Sequence, residues 1–208
     1  MGTESASSDI VEIPPRFRVV PPSCKVPVDG ISIVLGPSSA FGDGRHETTQ
    51  LCLQAIAALA PRGKGDWRLL DFGSGSGILS IGAAKLGAIA LGVEIDEAAI
   101  ASAEENAGLS SVGDRVTFAR TLEEASSTFD IVVANILRRV LLDAAAALVA
   151  RLSTTGGLIL SGLVSTDVPE VSARYARHLD GRRPEIYERG EWRALVWRAR
   201  RSFPSHTR

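Results

Sequence analysis

Only two cysteines, Cys24 and Cys52, occur in the sequence. They are far apart and belong to no CxxC pair, which excludes a disulfide framework and a cysteine metal or redox motif. A reducing cytoplasm is therefore the expected compartment. There is no charge of one dominant sign either: 23 basic against 24 acidic residues leave a net charge of -1, which argues against a whole-surface footprint for nucleic acid. Nor is there a long apolar run. The most apolar window, Ile78 to Val93, contains Lys85 and three glycines and falls short of the roughly 20 residues a bilayer span needs. The start, MGTESASSDIVEIPPRF, carries acidic residues and no apolar stretch, so it reads as neither a signal nor a transit peptide. No internal repeat is present.

What remains is a chain of 208 residues, enough for one sizeable core and short for two. The Ser-rich first ten residues and the pairs Pro14-Pro15 and Pro21-Pro22 suggest an extended, partly mobile arm over 1–24, with the packed domain over 25–201 and a tail over 202–208. Ile31 to Leu35 reads as a short strand. A glycine-bearing loop, Gly36 to Gly44, then leads to an apolar-periodic helix from about His46 to Ala60.

From there strands and helices alternate. Strands are expected at Arg68 to Phe72, Ile89 to Glu94, Val116 to Ala119, Phe129 to Ala134 and Gly157 to Leu163, with helices at Gly77 to Leu86, Glu97 to Ala107, Arg138 to Leu152 and Val168 to Leu179. Glu185 to Tyr187 and Arg193 to Trp197 close the chain as a hairpin around Gly190. Such alternation predicts an α/β fold, a doubly wound, mostly parallel sheet with helices on both faces. Trp192 and Trp197, five apart in a strand, point to opposite faces, so at most one belongs to the core.

The strongest chemical signal is LLDFGSGSGIL, Leu69 to Leu79: an apolar strand running into a Gly-x-Gly-x-Gly loop that opens a helix. Glycines there let the backbone turn sharply and approach a ligand, and the helix start presents unpaired N–H donors. In a dinucleotide fingerprint the third glycine falls three residues after the second. Here that position is Ile78, and Gly77 comes one residue early, which disfavours a nicotinamide oxidoreductase. Glu94 ends the next strand about 20 residues on, where a carboxylate accepts ribose hydroxyl hydrogen bonds. The alternative is a tight turn and a solvated acid.

The GSGSG loop and the GVEID stretch resemble the class I methyltransferase fold. Three further segments resemble the ribosomal protein L11 methyltransferase family: AFGDGRHETT (Ala40 to Thr49), VANIL (Val133 to Leu137) and GGLILSG (Gly156 to Gly162). The resemblance covers about Pro37 to Tyr175. It departs at Asp43, where the family usually has Thr, at Ser74 (Cys) and at Glu94 (Asp). Family members also usually carry an N-terminal substrate-recognition domain, which the residues before Lys25 are too few to form.

The resemblance implies S-adenosyl-L-methionine as cofactor and S-adenosyl-L-homocysteine as product, bound by a seven-stranded sheet of order 3-2-1-4-5-7-6. It implies that Phe41, Gly42, Thr48 and Thr49 border the methionine end, that Asp71, Gly73, Ser74, Gly75, Gly77, Glu94 and Ile95 belong with them among the cofactor-binding residues, and that Asn135 lines the methyl-transfer pocket. The implied acceptor is a protein amine, a Lys side chain or N-terminus, with ribosomal protein L11 as candidate; no metal is required. A small metabolite as acceptor, or an inactive regulatory protein hinted at by Asp43, are the competing readings. Methyl transfer to an amine demands alignment, desolvation and a neutral nucleophile. Asn135, with its amide oxygen, could aim an amine lone pair, or could merely cap the following helix. His46 could border the site or only pack at a helix start, and the Thr48 and Thr49 hydroxyls could only satisfy local backbone. From Ser172 onward ten arginines face four acidic residues. This basic excess is expected to be a solvated edge, with ribosomal RNA or an acidic protein as the alternative partner. No membrane contact is expected.

Overall fold

The computed structural model describes residues 10–37, 41–61, 63 and 66–198. A seven-stranded sheet is built from β4 (Trp67–Phe72), β5 (Ala88–Val93), β6 (Val116–Ala119), β7 (Phe129–Asn135), β8 (Leu152–Val164), β9 (Glu185–Arg189) and β10 (Trp192–Trp197). Its order is β6-β5-β4-β7-β8-β10-β9. All neighbours are parallel except β10, which runs antiparallel to both β8 and β9. This is the expected class I methyltransferase arrangement.

Why the sheet is central follows from its side-chain alternation. Leu69, Ile131, Val133, Ile159 and Val196 point to one face, where α1 (Glu47–Leu59) and α2 (Ile78–Lys85) supply Leu53, Ile56 and Ile81. Leu70, Val132, Ala134, Leu158, Leu160 and Leu195 point to the other, against Leu141, Leu148, Val171 and Tyr175 of α4 (Arg138–Ala150) and α5 (Val168–Ala176). A strand buried on both faces has no solvent side to leave polar, hence the near-continuous apolar runs. Trp197 is core and donates its indole N–H to the Arg182 carbonyl at 3.1 Å, while Trp192 is only half-buried on the opposite side.

Residues 11–20, expected to be an extended arm, are instead structured. β1 (Val11–Ile13) and β2 (Phe17–Val20) form an antiparallel hairpin, and β2 pairs in parallel with β3 (Ile31–Val34). Ile13, Phe17, Val19 and Ile33 enter the core under α1 and α2, and Gln54 of α1 donates to the Pro14 carbonyl at 2.9 Å. The two Pro pairs lie in the hairpin turn and just after β2, where no ladder N–H is needed. The expected tail, 202–208, lies outside the described residues.

Smaller differences have local causes. β8 begins at Leu152 rather than Gly157, because Phe129 already pairs with Leu152 before a register shift to the Ile131–Gly157 pair. α5 stops at Ala176, three residues early, where a turn through Asp180 at φ +53° brings the Gly181 N–H back to the Ala176 carbonyl.

Candidate active site

The glycine loop leaves β4 at Phe72 and enters α2 at Ile78. Gly75 sits at φ +51°, and a β-carbon there would lie 2.6 Å from the Phe41 carbonyl oxygen, so only glycine permits this approach. Gly73 is equally constrained, since its β-carbon would stand 2.4 Å from Ile136 Cγ2. Across the loop, Glu94 follows β5. Its Oε2 accepts from Gly75 N at 3.0 Å and its Oε1 from Ile95 N and Asp96 N at 2.8 and 3.1 Å, which fixes the carboxylate and leaves acceptor capacity on Oε2. Asp96 then caps α3 (Glu97–Leu109) by accepting from Ala98 N.

These elements enclose a cleft of about 520 Å³ at the carboxyl ends of β4, β5 and β7. One wall is Phe41 and Gly42, and the floor holds Gly73, Ser74 and Gly75, with Glu94 and Ile95 at one end. Thr48, Thr49 and Asn135 occupy the other end. Ten of the twelve residues named from sequence thus converge here. Asp71 and Gly77 do not line the cleft. Gly77 occupies the N-cap of α2 at φ +78°. Asp71 is fully buried beneath the loop, where its Oδ2 accepts from the amide and hydroxyl of Ser80 at 3.1 and 2.8 Å. Burial, reinforced by the nearby Glu94 carboxylate, pushes its pKa up to about 7 despite those Ser80 bonds.

Asn135 ends β7, and its Nδ2 donates to Thr48 Oγ1 at 3.1 Å. It does not cap the next helix: the N-cap of α4 is Leu137. His46 is the N-cap of α1. Its Nδ1 accepts from Thr48 N at 3.3 Å and lies 2.8 Å from Thr48 Oγ1. The Thr48 hydroxyl thus sits between Asn135, from which it receives, and the His46 ring. The His46 ring also packs edge-on to Phe41 and Trp192, with centroids 5.5 and 4.9 Å apart, and both His46 and Trp192 line the cleft.

Asp43 faces away. It is exposed, accepts from Arg45 N at 2.9 Å and pairs with the Arg45 guanidinium. Its carboxylate therefore completes a local turn and is absent from the cleft wall.

Sequence reasoning missed Trp192, Ile136, Leu137 and Val140, which make the far side of the cleft mainly apolar. Ile136 and Leu137 stood beside Asn135 in a quoted motif. Trp192 had no local signal, because only the antiparallel β10 carries it across the sheet to His46.

The sequence matches the family model described as ribosomal protein L11 methyltransferase (PrmA) over residues 9–200. The chain belongs to the ribosomal protein L11 methyltransferase family. Curated relatives of that name are 42% identical in Trichlorobacter lovleyi, over 80% of this chain and 56% of the relative, and 39% identical in Pelobacter propionicus, over 88% and 61%. The chain thus spans little more than half the length of these curated L11 methyltransferases. A crystal structure titled ribosomal protein L11 methylase, from Lactobacillus delbrueckii subsp. bulgaricus, superposes with a TM-score of 0.80 at 31% identity, covering 92% of this chain and 99% of that one. The family-model match begins before β1, so it takes in the N-terminal sheet as well as the Rossmann-like unit.

The donor set suits the nucleoside and amino-acid ends of S-adenosylmethionine. Glu94 offers a fixed carboxylate, the glycine loop offers close backbone, and the buried hydroxyls Thr49 Oγ1 and Ser74 Oγ on the cleft lining have no hydrogen-bond partner among the described residues. Buried hydroxyls without partners are costly, and these two stand where a polar group of the cofactor could complete them.

Proposed function

We propose that this chain is an S-adenosylmethionine-dependent N-methyltransferase acting on a protein amine, with ribosomal protein L11 as the acceptor. The observation that carries the reading is Asn135 held by Thr48 at the end of the cleft opposite Glu94, with the glycine loop between them.

When bound, the cofactor supplies an electrophilic methyl group on a sulfonium. The chain's task is then alignment. Glu94 takes the ribose hydroxyls, and Thr49, Ser74 and the Phe41–Gly42 wall hold the methionine end. Since Asn135 Nδ2 is committed to Thr48, its Oδ1 is the atom left to accept a hydrogen bond from the incoming amine, which turns the nitrogen lone pair inward. No carboxylate other than Glu94 lines the cleft among the described residues. A charged ammonium at Asn135 therefore finds no counter-ion on the cleft lining, which leaves the neutral amine as the attacking form, its proton leaving to water.

Calorimetric titration is the first test. S-adenosylmethionine and S-adenosylhomocysteine should bind at one site per chain while NAD gives no heat. Binding of NAD alone would refute the reading.

A further inference from the structure

The wall formed by Phe41 and Gly42 belongs to no helix or strand, yet its position is tightly specified by two buried side chains outside the cleft. Ser76, 3% exposed, donates its amide to the Phe41 carbonyl at 3.0 Å and its hydroxyl to the Gly42 carbonyl at 2.7 Å. Asn106 of α3, 2% exposed, donates Nδ2 to the Ser76 carbonyl at 3.0 Å and accepts from Gly36 N at 2.8 Å. The far end of the same segment is held separately, where Gln50 Nε2 donates to the Gly44 and Arg45 carbonyls.

We infer that Ser76 and Asn106 are positioning residues that hold the Phe41–Gly42 wall against the glycine loop and so set the affinity of the cleft. The physical reason is that, among the described residues, no other donor reaches the Gly42 carbonyl. Gly42 is buried at φ +107°, outside regular structure, so its carbonyl depends on the Ser76 hydroxyl. Asn106 uses both halves of its amide to tie the segment's entry at Gly36 to the backbone of Ser76, a geometry that an aliphatic residue of equal size cannot reproduce. Neither side chain lines the cleft. Both act through the Phe41 and Gly42 backbone, and the consequence for binding rests on the cofactor reading given above.

The test compares wild type with Ser76→Ala, Asn106→Asp and the double variant. Asn106→Asp keeps an acceptor for Gly36 N but sets a carboxylate oxygen against the Ser76 carbonyl. Three quantities are read: the Kd of S-adenosylhomocysteine, the hydrogen–deuterium exchange of the Phe41–Asp43 amides in ligand-free protein, and the thermal midpoint. Each single variant should weaken S-adenosylhomocysteine roughly five- to twentyfold, the scale of one lost buried hydrogen bond, and should speed exchange at Phe41–Asp43 relative to the rest of the chain. The double variant should lose less than the product of the two single losses, because both act on one segment. Wild-type affinity and wild-type exchange at Phe41–Asp43 in both variants would overturn the inference, as would equal acceleration throughout the chain. If wild type itself fails to bind S-adenosylhomocysteine, the cofactor reading falls, while exchange at Phe41–Asp43 still decides whether Ser76 and Asn106 hold the wall.

Discussion

Asn135 at the end of β7 and Thr48 in the first turn of α1 are joined by a 3.1 Å hydrogen bond across 87 residues of sequence. Two elements with no local relationship are thus pinned together at the cleft, and His46 extends the contact by accepting from the Thr48 amide.

Thr48→Val keeps shape and burial but removes the hydroxyl. Asn135 then loses its orienting partner and His46 its contact with the hydroxyl. Turnover should drop roughly ten- to a hundredfold, the range for misaligned reactants, while the Kd of S-adenosylhomocysteine stays within about threefold. Steady-state kinetics with parallel calorimetry separates the two, and a loss of binding matching the loss of turnover would remove the alignment role.

Gly75→Ala places a β-carbon 2.6 Å from the Phe41 carbonyl oxygen at a backbone φ of +51°. Strain of about 1–3 kcal/mol is expected, together with displacement of the Phe41 wall. Cofactor affinity should fall by at least about tenfold and the thermal midpoint should decrease, both measurable by calorimetry. Gly75→Arg should abolish binding.

Asp71 gives a prediction about pH. Its pKa, raised from 3.8 to about 7 by burial, means that the native state holds a proton the unfolded chain has released. Between about pH 4 and 7 this group therefore makes stability fall as pH rises, and above that range its effect is constant. Asp71→Asn keeps an acceptor for Ser80 N and cannot ionise. The stability of wild type minus that of Asp71→Asn should decline across this window by on the order of 4 kcal/mol at most. Urea denaturation at several pH values measures the difference, and a flat or rising profile would contradict the assignment.

The alternation of apolar strands and helices made the seven-stranded sheet legible, because strands buried on both faces leave an unbroken apolar signature. Even the antiparallel β10 could be placed beside its hairpin partner β9 from Gly190. The N-terminal hairpin was not legible. Pro14-Pro15 and Pro21-Pro22 suppress the strand signal locally, and what stabilises β1 and β2 is burial of Ile13, Phe17 and Val19 under helices much later in the chain. The candidate site followed the same division. Gly73, Gly75, Glu94 and Asn135 stand in motifs whose spacing reflects a strand-to-loop turn, whereas Trp192, Ser76 and Asn106 act through contacts that only the folded sheet creates. The resemblance placed Asp71 among the cofactor-binding residues, yet its side chain turns under the loop to Ser80.

Trp192 carries a prediction for the acceptor side. It closes the cleft over His46 with a ring-centroid distance of 4.9 Å. Trp192→Ala should raise the KM for the acceptor protein roughly tenfold through lost contact, with the Kd of S-adenosylhomocysteine little changed. Kinetics with varied acceptor concentration tests this, and an effect confined to the cofactor would assign Trp192 to the other end of the cleft.

The most direct test of the central claim is to incubate the purified chain with ribosomal protein L11 from a methylation-deficient source and S-adenosylmethionine labelled in its methyl group, followed by mass analysis. Label should appear on a lysine or N-terminal amine of L11, with one S-adenosylhomocysteine formed per methyl, and Asn135→Ala should reduce it while retaining cofactor binding. Bound cofactor with no label on any protein amine would contradict the account.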